Sequence, residues 1–234
     1  MARIGTAGWT IPRAEAERMA GEGSHLQRYA ACFDIAEINS SFHRPHRPAT
    51  YARWAEAVPE HFSFAVKLPK TISHKQRLVD SEELLAAFAA EIAGLGSKRG
   101  PLLVQLPPSF AFPGEVAERF FDAVDAVIGG QIVIEPRHAS WFEPEVGAML
   151  AERRIARVAA DPAVPDGAAQ PGGWLGLAYF RLHGSPRTYW SSYSAKHIAA
   201  HATALAAYDE SWTIYDNTAS GAALSNALDL RDRI

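Results

Sequence analysis

Short apolar runs that end in polar or charged residues recur along this chain, and their spacing restricts its fold more than any other feature. The runs are Arg3–Thr6, Phe33–Asn39, Phe62–Lys67, Leu102–Leu106, Ile132–Glu135, Ile155–Ala159, Tyr179–His183 and Trp212–Tyr215. Each is short and rich in Val, Ile and aromatic residues, which is the signature of a buried strand. Their starts lie roughly 23 to 39 residues apart, enough for a strand, a loop and a helix in each unit. Hairpins require much closer spacing. The expectation is eight strands beginning near residues 3, 33, 62, 101, 131, 155, 178 and 211.

The intervening segments carry helical patterns. Asp80-Ser81-Glu82-Glu83 reads as a capping signature ahead of Leu84, Leu85, Phe88 and Ile92. Pro113, Pro48 and Pro144 suit the first turns of three further helices, and Gly129-Gly130 suits the end of one. Residues 25–32, 194–208 and 219–230 supply the rest. Residues 161–177, with Pro162, Pro165 and Pro171 among four glycines, predict an irregular loop in place of the sixth crossover helix. The fold expected is therefore α/β: a closed (β/α)8 TIM-type barrel, one domain over residues 1–234. An open doubly wound sheet is the alternative, but Gly5-Thr6-Ala7-Gly8-Trp9 lacks the full dinucleotide fingerprint.

Composition narrows the function classes. The chain has 234 residues, 48% apolar and 21% charged, which suits a soluble globular protein. A net charge of −3 implies no bulk attraction to nucleic acid or membrane. The single cysteine, Cys32, excludes an intramolecular disulfide and a multi-cysteine metal site. No run approaches the ~18 apolar residues of a membrane span, and MARIGTAGW lacks the pattern of a signal peptide, so the cytoplasm is the expected compartment.

In a barrel of this type the carboxyl ends of the strands build the active site. Here those ends carry Trp9, Glu37, Asn39, Lys67, Gln105, Glu135, Arg137, His138, Asp161, Arg181, His183, Asp216 and Asn217. Glu37, Lys67, Glu135, His138 and His183 are the catalytic candidates, as carboxylates, an amine and imidazoles suited to acid–base work. Trp9, Asn39, Gln105, Arg137, Arg181, Gly184, Asn217 and Thr218 are the substrate-binding candidates. The competing reading is a structural ion network that plugs the barrel. Basic loops at the same end (His43 to Arg47, Lys70 to Arg77, Arg137-His138, Arg187) favour an anionic ligand. Gly184-Ser185 and Thr218 to Gly221 resemble phosphate loops, with Arg181 and Arg187 to add guanidinium contacts; a simple helix cap by Asn217 or Thr218 is the alternative. Glu37, Glu135, Asp161, His183 and Asp216 are donor types that a divalent metal takes, but no tight motif such as HExxH is present and Lys67 and the arginines compete for the carboxylates. The sequence thus leaves metal and cofactor unknown.

Taken in order, Gly5-Thr6-Ala7-Gly8-Trp9, Glu37-Ile38-Asn39-Ser40-Ser41-Phe42, Phe64-Ala65-Val66-Lys67, Gln105-Leu106-Pro107-Pro108, Glu135-Pro136-Arg137-His138-Ala139-Ser140-Trp141, Arg181-Leu182-His183-Gly184 and Asp216-Asn217-Thr218 resemble the YecE-like family, a bacterial and archaeal domain of unknown function. The resemblance covers nearly the whole chain and implies a TIM-type barrel. It implies no reaction. The chain departs from the family pattern in residues 10–24 and at His43, where many relatives carry tyrosine.

The leading functional expectation is an enzyme acting on a phosphate-bearing substrate: a nucleotide, a sugar phosphate or a nucleic-acid end. The alternatives are a non-catalytic module that binds an anion or nucleic acid, and a sugar hydrolase or isomerase using Glu37 and Glu135. No membrane partner is expected, and the oligomeric state is not readable from sequence.

Overall fold

A computed structural model describes residues 1–19 and 21–234. The strands are β1 (Ala2–Thr6), β2 (Ile35–Ile38), β3 (Ser63–Lys67), β4 (Arg99–Gln105), β5 (Ile132–Glu135), β6 (Ala156–Arg157), β7 (Ala159–Asp161), β8 (Gly172–Gly173), β9 (Ala178–Leu182) and β10 (Ser211–Tyr215). The helices are α1 (His25–Ala30), α2 (Pro48–Glu56), α3 (Glu82–Ile92), α4 (Glu115–Val127), α5 (Pro144–Glu152), α6 (Ala195–Leu205) and α7 (Ala222–Arg231). The strand starts fall within three residues of those expected.

The result is an α/β fold with two parallel sheets, in the orders β1-β10-β9-β7 and β2-β3-β4-β5-β6-β8. Only β8, a strand the sequence did not announce, runs antiparallel, against β6. The sheets meet at two seams. At one, β6 and β7 are halves of a single extended segment, split at Val158, whose N–H donates to Ile134. At the other, β1 and β2 share one bridge, Ala7 to Glu37. The expectation of one continuous ring is thus met only in part, and a side chain accounts for the break. The Tyr29 hydroxyl accepts the Thr6 N–H at 2.8 Å and donates to the Ile35 carbonyl at 3.0 Å, so it stands where a ladder hydrogen bond between the strands would be. Gly5 permits the close approach: a Cβ there would lie 2.3 Å from the Ile35 carbonyl oxygen.

Residues of alternate parity on each strand face opposite ways. One face packs on the helices, joining Phe64, Val66, Val104 and Ile134 to Tyr51, Phe88, Phe120 and Leu150. The other face gathers a separate cluster of Ile35, Ala65, Leu103, Val133, Tyr179, Trp212 and Ile214. Two expectations change in detail. Ser81 precedes α3 as expected but forms no side-chain cap, and α4 begins at Glu115 after Gly114 rather than at Pro113. The 161–177 segment lacks an α-helix and holds one short 3-10 turn, Asp166–Ala169, beside β8.

Candidate functional site

Period-two alternation places the site. Two residues beyond six members of the inner apolar cluster stands a polar one: Ile35 then Glu37, Ala65 then Lys67, Leu103 then Gln105, Val133 then Glu135, Tyr179 then Arg181, Ile214 then Asp216. The apolar layer therefore carries a polar layer directly above it, at the carboxyl ends of the strands.

Arg181 is the centre of that layer and is 0% exposed. Its Nε and Nη2 grip Glu37 at 3.0 and 2.7 Å, Nη1 donates to Glu135, and Nη2 also reaches Asp216 at 2.8 Å. His183 bridges Asp216 through Nδ1 and Glu135 through Nε2, both at 3.1 Å. Glu135 further accepts from Gln105 Nε2 at 3.1 Å and Arg137 Nη2 at 2.9 Å. Tyr179 donates its hydroxyl to Glu37 at 3.1 Å. Burial opposes the charges of Arg181, Glu135, Asp216 and His183, and the opposite charges outweigh it. Against burial, Arg181, His183 and Arg137 hold the Glu135 carboxyl well below its usual range, and Arg181 and His183 lower Asp216. Against burial, Glu135 and Asp216 raise His183.

Lys67 differs from its neighbours. It is 5% exposed, and among the described residues its ammonium has no hydrogen bond or ion pair; it lies 4.3 Å over the Phe42 ring. Burial, reinforced by the charge of Arg181 and opposed by Glu37, Asp216 and Glu135, pushes the amine down to about 8. His74 lies edge-on to the same Phe42 ring, centroids 5.0 Å apart. It sits on a π-helical turn, Thr71–Lys75, a distortion frequent at functional sites. Its Nδ1 is 2.9 Å from Ser73 Oγ, which is also 3.3 Å from the Pro69 carbonyl. A carbonyl only accepts, so both bonds form together when Ser73 donates to Pro69 and His74 Nδ1–H donates to Ser73. That tautomer leaves Nε2 as a free acceptor. Burial and the charges of Lys67, Arg137 and Lys70 lower the imidazole and keep it neutral.

The structure brings together Glu37, Lys67, Gln105, Glu135, Arg137, Arg181 and His183 from the expected set. Asn39 joins them through Nδ2, 3.4 Å from Asp216 Oδ1. Others are placed elsewhere. His138 accepts the Ser140 N–H and caps the turn Ala139–Phe142. Trp9 packs edge-on against Trp54 and Phe64, centroids 5.1 and 5.8 Å away. Asn217 is buried and donates to the Ser191 carbonyl and to Asn226, tying the β10 end to α7. In the expected phosphate loops three N–H groups are engaged: Gly184 donates to the Tyr193 hydroxyl, Ala219 to the Tyr189 carbonyl and Gly221 to the Thr218 carbonyl. Thr218 is exposed beyond them. Arg181 is likewise committed to its three carboxylates. Phe42 and His74 were missed as site residues, and Asp216 was named only as a strand-end residue and possible metal donor. Asp216 stood at a strand end next to Asn217, while Phe42 and His74 lie in loops where periodicity says nothing.

Access to the layer runs beside Glu135, Arg137 and His183 through a cavity of about 120 Å³ walled by Pro108, Pro162, Val164 and Thr188. Among the described residues no trio of His, Cys, Asp and Glu side chains is arranged to hold a metal ion, and no helix is long and apolar enough to cross a membrane.

The family profile described as "Protein of unknown function DUF72" matches residues 3–234. The UPF0759 protein YecE of Escherichia coli (strain K12) is 29% identical over 153 residues, 62% of this chain and 55% of that protein. The chain thus matches about half the length of that relative. A crystal structure of a DUF72 family protein from Enterococcus faecalis V583 covers 100% of this chain and 95% of its own, with a TM-score of 0.83 and 24% identity. The D-allulose 3-epimerase of Methylomonas sp., solved in complex with D-allulose, covers 99% and 94% with a TM-score of 0.52 and 13% identity, a likeness of fold alone.

Proposed function

Because the chain belongs to the DUF72 family, whose description assigns no activity, we propose its function from the site itself: an enzyme that moves a proton on a small anionic substrate at the carboxyl ends of the strands. The two sheets act in this reading as one (β/α)8 barrel of a single domain, with the Tyr29 hydroxyl completing the ring. The observation that carries it is Lys67, a largely buried side chain whose ammonium has no acceptor among the described residues and an affinity for protons near neutrality. Burial of such a group costs stability, and a substrate anion or carbonyl oxygen supplies the missing partner. Lys67 is the acid–base group, neutral His74 is its proton-accepting partner, and Arg137 with Lys70 attracts the anion. The carboxylates of Glu37, Glu135 and Asp216 are the frame rather than the reacting groups, since Arg181 and its neighbours already occupy them.

The anion is a phosphate or a carboxylate. Sugar phosphates and hydroxy or oxo carboxylates, incubated with the chain in deuterated water, separate the two sources. Deuterium uptake or conversion by the wild type, lost in Lys67→Met and reduced at least tenfold in His74→Gln, supports the reading. Specific binding without any exchange or conversion, equal in wild type and Lys67→Met, leaves a non-catalytic anion-binding module.

A further inference from the structure

Behind Phe42 lies a second cavity of about 250 Å³, between the loops that follow β2 and β3 and the face of α3. Its walls are apolar: Phe42, Ile72, Leu84 and Phe88. Ile72 belongs to the same π-turn that carries His74, so one local distortion shapes both places. Arg44 and Lys70 stand at the cavity, and among the described residues neither forms an ion pair with any carboxylate. Glu91, the one carboxylate on the wall, already accepts the His46 N–H at 3.3 Å, and burial raises its carboxyl toward the neutral form.

We infer that this cavity is a subsite for the apolar tail of the substrate, which is then an anion bearing a short acyl chain or a single ring. The inference rests on the anionic-substrate reading above and names the substrate class. Charge complementarity selects the occupant: the unpaired cations beside the cavity take the anion, and the apolar walls take the tail. Phe42 joins the two. Phe42 lines the cavity, and the Lys67 ammonium lies over its ring at 4.3 Å. The volume is at the small end of ligand pockets, so a long lipid chain does not fit.

The test titrates the full chain with straight-chain carboxylates from acetate to octanoate, read by calorimetry. The affinity is expected to rise about fourfold per methylene, the gain for burying one CH₂, and to level off once the cavity is full. Ala87, exposed on α3 at the cavity wall, gives the control. Ala87→Phe flattens the series and Ala87→Leu halves its slope, while acetate binds all three alike. An affinity independent of chain length, or a slope that survives both variants, overturns the inference. A slope in the wild type without any exchange or conversion overturns the enzyme reading and leaves the subsite standing.

Discussion

Lys67 and Arg181 are both buried cations at strand ends, yet their substitution is expected to move stability in opposite directions. Arg181 is answered by three carboxylates, so Arg181→Met leaves buried anions uncompensated and costs about 3–5 kcal/mol or abolishes folding. Lys67 is answered by none of them directly, and its amine is pushed from 10.5 down to about 8. Removing that burial cost with Lys67→Met stabilises the protein at pH 7 by up to about 3 kcal/mol. Thermal melts of the two variants check the pair. The signs with pH follow the same groups. Glu135 and Asp216 are lowered from 4.5 and 3.8, so their contribution is whole above those values and is lost as pH falls through the lower native ones. His183 is raised from 6.5, so its contribution is whole below 6.5 and is lost as pH rises through the native value. The denaturant midpoint of the wild type relative to that of His183→Asn should therefore shrink as pH rises above 6.5.

At the scale of elements, the β1–β2 seam depends on one hydroxyl. Tyr29→Phe keeps the ring and removes the group that joins the Thr6 N–H to the Ile35 carbonyl. A loss of about 1–3 kcal/mol is expected, the cost of leaving a buried donor and acceptor unmade. Urea unfolding measures it, and a loss near zero means that the seam is held by packing alone. The strands were legible because those buried on both faces read as apolar runs with a charged end, as in Ile132–Glu135. The seam was not, because Tyr29 lies on a helix and its role is set by tertiary placement. The same holds for the π-turn at Thr71–Lys75, whose residues carry no turn signal, and for β8, two glycines with no side chain to pattern.

Across the whole molecule, charge is sorted by height along the strands: an apolar layer inside, then the layer of Glu37, Lys67, Gln105, Glu135, Arg181 and Asp216, then basic loops. The residues of that layer were legible as strand ends. Their pairing was not, because Arg181 meets Glu37 across 144 positions of sequence, and no local pattern tells a consumed guanidinium from a free one. Arg181 and its carboxylates form an ion network of the kind the competing reading describes, and Lys67 is the group set apart. The central claim is that Lys67 is a near-neutral amine awaiting an anionic partner. Its titration, followed by the ¹³Cε resonance assigned against Lys67→Met, tests this most directly. A midpoint near 8 that rises when phosphate or a short-chain carboxylate is added is the predicted result. A midpoint near the ordinary 10.5, unmoved by either anion, would contradict it.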